Sequence, residues 1–154
     1  AALPPLVLVG GASPGVFASP PVTEAGGPGL RMAGTVSDAE LKALLAHALA
    51  LVCPSLYEGF GLPVLEAMDC ACPVLAARAA SLPEVAGSAA LYADPTDAGD
   101  LAAGLGRLAA DGPLRASLRE AGLRRSAALP WADSARALLA VLEPLLPVPA
   151  RSAA

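Results

Sequence analysis

The sequence predicts an α/β domain built on a doubly wound parallel sheet, and three observations predict it. Short, uniformly apolar runs such as Leu6 to Val9 and Pro73 to Ala77 read as strands buried on both faces. Longer segments with helix-start signals alternate with them, Ser37-Asp38-Ala39-Glu40 being the plainest. A length of 154 residues suits one domain able to bury a core without disulfide or metal support.

The first strand, Leu6 to Val9, stops at Gly10 and Gly11. Ala12 to Gly29 is rich in Pro and Gly without helical period, so an irregular loop or broken helical turn is expected there. Leu30 to Ala33 reads as a second short strand. The Ser37 box opens a helix on which Leu41, Leu44, Leu45 and Ala48 share a face, with His47 on the solvated side. Ala50 to Cys53 is the next strand, Pro63 lies in the first turn of a helix reaching about Cys70, and Pro73 to Ala77 follows. Ser81-Leu82-Pro83-Glu84 reads as a second capping box, for a short helix ending at Gly87. Ala90 to Ala93 is the fifth strand. Thr96 is expected to cap a helix whose Asp97 and Asp100 suit the positive end of its dipole. Gly112-Pro113 divides it from a helix reaching about Leu129, where Arg119, Arg124 and Arg125 are expected as a solvated face. Trp131, expected as a packing anchor, opens a terminal helix of about 131–143. Residues 1–146 are thus expected as one domain and 147–154 as a disordered tail.

Composition narrows the function. With 3 % aromatic residues the core must be built from Leu, Val and Ala. A net charge of -4 disfavours nucleic acid and anionic lipid, which need a positive surface. The longest apolar stretch, Ala43 to Tyr57, is broken by His47 and Pro54 and falls short of the roughly 20 residues of a transmembrane segment. With no basic segment leading into an apolar run at the start, a cytoplasmic location is expected. Cys53, Cys70 and Cys72 are odd in number and wrongly spaced for a zinc knuckle, and there is a single histidine. They read as small buried side chains, and no metal is expected. The absence of Gly-x-Gly-x-x-Gly after the first strand argues against a dinucleotide oxidoreductase.

Doubly wound domains bind ligands at the carboxyl ends of their strands, so the loops after Val9, Ala33, Cys53 and Ala77 should line one edge. The loop after Cys53 is the most unusual, reading Pro54-Ser55-Leu56-Tyr57-Glu58-Gly59-Phe60-Gly61-Leu62-Pro63-Val64-Leu65-Glu66-Ala67-Met68. Gly59 and Gly61 flank Phe60 just before a helix start, which lets main-chain amides approach a phosphate or a sugar closely. Glu66 stands among apolar neighbours, where its carboxylate needs solvent or a hydrogen-bond donor such as a ribose diol.

This segment resembles the Glu-x7-Glu signature of the retaining glycosyltransferases of two-Rossmann-domain (GT-B) architecture, family 4 or group 1, with Glu58 and Glu66 as the two acids. The resemblance continues through Gly34 to Leu41, Ser81 to Gly87, Ala89 to Pro95 and Trp131. It implies a Rossmann-like, donor-binding C-terminal half of an enzyme that moves a hexose from a nucleotide-diphosphate sugar to an acceptor. Glu58 would be the catalytic candidate, touching donor hydroxyls beside the reacting anomeric carbon. Together with Glu58, Gly59, Phe60, Gly61 and Leu62 would hold the donor sugar and phosphate, the last three through their amides. Glu66 would bind the ribose, and the main chain near Val36 the base. The resemblance implies no cofactor and no metal, in keeping with the lack of an Asp-x-Asp motif.

The pattern is incomplete. Members of that family carry a strand and helix ahead of the unit matching Leu6 to Val9, with an Arg and a Lys that grip the diphosphate. Neither is present here, and the acceptor-binding domain is absent too. The expected consequence is a chain inactive alone, partnered by the missing N-terminal domain or by another copy. The alternative is a non-catalytic nucleotide-sugar-binding or interaction module. The absent strand would lie between Leu6 to Val9 and Ala50 to Cys53. Either these two pair directly, or another chain fills the gap, or the domain is marginally stable. Ala71 stands where relatives usually place glycine, at a cost of about 1 kcal/mol if the backbone there is left-handed.

Overall fold

In the computed structural model, which describes residues 4–10 and 29–145, the strands are parallel but fall into two sheets. Strand β1 (Leu6–Val9) pairs with β2 (Leu30–Gly34), with an irregularity in register between Leu8 and Val9. Strands β3 (Leu51–Cys53), β4 (Val74–Ala77) and β5 (Leu91–Ala93) form the second sheet in that order. The expected loop over residues 12–28 and the expected tail over 147–154 lie outside the described residues.

All four residues of β4 are buried, as its uniformly apolar composition predicts for a central parallel strand. Its side chains feed two cores. Val74 and Ala76 pack with Val64, Met68 and Leu82, under α1 (Asp38–His47), α2 (Leu62–Asp69) and α3 (Leu82–Ala86). Leu75 packs on the other face with Ala93, Leu108 and Leu118, under α4 (Ala98–Ala110) and the first half of α5 (Gly112–Ala127). Burying one such leucine contributes about 1.5–3 kcal/mol. Glycines let the helices come close: a Cβ on Gly104 would stand 2.8 Å from Leu75 Cδ1, and one on Gly122 3.1 Å from Met68 Cγ.

Strand β1 departs from expectation. Leu6 is 49 % exposed and Val9 44 %, so this strand is not buried on both faces. No described element other than β2 packs extensively against it, and an apolar run buries only where a neighbouring layer exists. Among the described residues β1 and β3 do not pair directly, and each has a strand neighbour on one side only.

The Ser37 box forms as expected: Ser37 Oγ accepts from Glu40 N, and Glu40 Oε2 accepts from Ser37 N at 2.8 Å. Below it Leu45 is buried and Leu41 and Ala48 pack against the core, whereas Leu44 lies 37 % exposed, one step off the stripe. The Ser81 box does not form. Ser81 has helical φ −75° and ψ −16°, while the capping Ser37 is extended, and Ser81 makes no cap hydrogen bond. Thr96 is likewise not the cap of α4. Asp97 is, accepting from Gly99 N and Asp100 N, while Thr96 donates through both N and Oγ1 to Asp94 Oδ1. The α4/α5 break falls at Asp111, which ends one helix and caps the next through Leu114 N. Arg124 is solvated as expected, but Arg125 bonds main-chain oxygens of α3. Trp131 is not a packing anchor: it is 75 % exposed and α6 (Trp131–Leu142) buries no residue, because no described element covers its apolar side. Ala71 is left-handed, at φ 53°.

Candidate functional site

The loop leaving β3 at its carboxyl end turns into α2 through Gly61, whose φ of 100° is a left-handed conformation suited to glycine. A side chain there would also meet Leu82, with a Cβ 2.8 Å from Leu82 Cδ2. Gly61 O accepts from Val64 N at 3.0 Å and Leu65 N at 3.4 Å, opening the helix without any side-chain cap. Pro63 has no N–H to leave unsatisfied. The amides of Gly59, Phe60, Gly61 and Leu62 find no acceptor among the described residues. Such a run of donors at a helix start carries partial positive charge and suits phosphate or hydroxyl oxygens.

Of the residues expected at this edge, Glu58 to Leu62 make up that turn and its entry into α2, and Glu66 lies farther along the same helix. Glu58 is half-buried in the loop, while Phe60 is 48 % and Leu62 42 % exposed, so the ring of Phe60 is not a core group. Glu66 is exposed on α2 and lines a groove of about 270 Å³ with Asp38, Leu41, Lys42 and Asp69. Val36 is half-buried in the link from β2 to α1, two residues ahead of Asp38, the first residue of α1 and part of the groove wall. The expected residues therefore fall on two features: a turn rich in amides with Glu58, and a groove between α1 and α2 lined by Glu66.

Ser81 is the residue that sequence reasoning placed elsewhere. Its hydroxyl reaches across from the start of α3 to the carbonyl oxygens of Glu58 at 2.9 Å and Phe60 at 3.0 Å. The signal that could have found it is topological, since Ser81 follows β4 and the loop after Ala77 lines the same edge as the loop after Cys53. A larger hollow of about 410 Å³, beside Ser88, Arg124 and Arg125, opens before β5 and so at the opposite end of the sheet. Its Arg125 is engaged by the carbonyls of Glu84 and Val85.

Comparison with known proteins adds the family dimension. The family described as glycosyl transferases group 1 matches residues 22–125. The chain is 42 % identical over 102 residues to the O-antigen chain mannosyltransferase B of Escherichia coli, covering 66 % of this chain and 27 % of that protein. It is 43 % identical over 112 residues to an MMP alpha-(1->4)-mannosyltransferase of Mycolicibacterium hassiacum, covering 70 % of this chain and 27 % of that protein. Among solved structures it resembles the sucrose-phosphate synthase of Thermosynechococcus elongatus, with a TM-score of 0.70 and 30 % identity over 76 % of this chain and 30 % of that one. The chain thus spans about a quarter of the length of each of these two mannosyltransferases. No described helix is long and apolar enough to cross a membrane.

Proposed function

We infer the function from one premise: the chain belongs to the glycosyl transferases group 1 family, with the fold of the C-terminal domain of a GT-B enzyme. On that premise residues 1–146 are the donor-binding part of a retaining hexosyltransferase that uses a nucleotide-diphosphate sugar and no metal. The observation that carries the reading is the turn at Gly59 to Leu62, where amides without acceptors among the described residues precede α2 and lie between Glu58 and Glu66 in sequence.

The chemistry fits those groups. As the bond from anomeric carbon to phosphate breaks, the diphosphate leaves with the electron pair, and the acceptor hydroxyl forms the new bond and gives its proton to the departing diphosphate oxygen. Negative charge grows on the diphosphate and positive charge on the sugar ring. The amides of Phe60, Gly61 and Leu62 meet the first, and the Glu58 carboxylate orients the sugar beside the second. Glu66 holds the ribose diol, and the main chain near Val36 meets the base across the α1/α2 groove. The acceptor site belongs to a second domain, so this chain alone binds donor without transferring it.

Calorimetric titration of the purified chain with GDP-mannose and UDP-glucose tests the reading. Saturable binding to one of them, lost in Glu66→Ala, is expected. A folded chain that binds neither, or a mutant that binds as well as the parent, would count against it.

A further inference from the structure

We propose that Ser81 is a positioning residue of the donor site, its hydroxyl fixing the peptide planes that turn the amides of Gly59 and Gly61 away from α3. The inference rests on the donor-site reading above, but its geometry is independent of it. In a trans peptide the carbonyl of one residue and the N–H of the next point in opposite directions, and no described peptide bond is cis. Ser81 Oγ lies 2.9 Å from Glu58 O and 3.0 Å from Phe60 O. Holding those two oxygens toward α3 turns the N–H of Gly59 and of Gly61 away from α3. Neither amide has an acceptor among the described residues. One hydroxyl, its single proton shared between the two carbonyl oxygens, thus sets two alternate peptide planes of the same turn.

Three further features support a built latch. Ser81 stands at the N-cap position of α3, where a serine ordinarily caps its own helix, yet its side chain makes no cap bond and spans more than twenty residues instead. Ala80, immediately before it, is left-handed at φ 48°, a conformation that costs an L-residue about 1–2 kcal/mol and persists only when the surroundings enforce it. Leu82, immediately after it, is fully buried and fills the space that a Gly61 side chain would need. Consecutive residues of α3 therefore grip the turn by a hydrogen bond and by packing.

The test compares the parent chain, Ser81→Ala and Ser81→Thr. In the unliganded protein, ¹⁵N relaxation is expected to show Gly59 to Gly61 ordered near 0.85 in the parent and in Ser81→Thr, falling toward 0.6 in Ser81→Ala, with β4 unchanged. Titration with GDP-mannose or UDP-glucose, whichever the parent binds, should weaken about fivefold in Ser81→Ala and recover in Ser81→Thr. Affinity for the matching nucleoside monophosphate, which reaches only the Glu66 end, should stay constant. Unchanged order in Ser81→Ala, or equal loss of both ligands, would overturn the inference. If the parent binds no nucleotide sugar, the donor-site reading falls by itself, and the orientation of the turn by Ser81 is decided by the relaxation data.

Discussion

Arg125, on α5, donates through Nε to Val85 O at 2.7 Å and through Nη2 to Glu84 O at 2.8 Å, closing the end of α3 from forty residues away. The last carbonyls of a helix have no partner within it, and a guanidinium fork can serve two at once. Since α3 begins with the residues that hold the site turn, Arg125 supports the site from behind. Removing the fork in Arg125→Ala should cost about 1–2 kcal/mol of stability in urea denaturation. Arg125→Lys should recover less than half, because an ammonium cannot span both oxygens.

Gly61→Ala should be far more damaging than Gly59→Ala. The first combines φ 100° with a Cβ 2.8 Å from a buried leucine methyl, whereas a Cβ on Gly59 meets nothing within 4 Å. A loss of about 1–3 kcal/mol is expected for the first and little change for the second, read by thermal or urea unfolding. Nucleotide-sugar affinity should fall with the first as well.

Ala71→Gly should stabilise the chain. Ala71 holds φ 53° at the end of α2, where its N–H donates to Met68 O. Relief of left-handed strain outweighs the extra freedom glycine gives the unfolded chain, for a net gain of about 0.5–1 kcal/mol by urea denaturation.

Cys72 should make stability fall at alkaline pH. Burial raises its thiol above the ordinary value, the backbone of Leu51 and the charge of Arg119 pulling the other way. A group whose folded pKa is raised contributes fully below its unfolded value of about 8.5 and loses that contribution as pH rises toward the folded one. The urea midpoint should therefore be flat in this respect to about pH 8 and then decline, and Cys72→Ala should remove that part of the decline.

The central sheet was legible because β3, β4 and β5 are short apolar runs, and β4 between the other two is buried throughout. Strand β1 has the same composition and is exposed, since a sequence states what a strand can bury and not whether a layer is there to bury it. The two Ser-x-x-Glu segments make the same point at shorter range. Ser37 and Ser81 are equivalent in letters, yet only the first takes the extended backbone that lets a side chain cap its own helix. The second is claimed by carbonyls brought near through the pairing of β3 and β4, a contact between segments more than twenty residues apart. At the site, Gly59 and Gly61 gave away the turn because a left-handed residue before a helix is a local requirement. The groove shared by Glu66 and Lys42 was not visible, because it is a product of how α1 lies against α2.

The division of the strands into two sheets sets up two tiers of resilience along one ligand. The sugar end of the proposed site is carried by the turn between β3 and α2 and braced by α3, all within the body whose sheet is buried. The proposed base contact at Val36 hangs between β2, in the thinly covered pair, and α1, which packs on that body. Local opening starts where buried apolar contact is sparse, so among the described elements the pair β1 and β2 is expected to open first. On the proposed assignment, mild denaturant should accordingly weaken discrimination between bases before it weakens the hold on the phosphates.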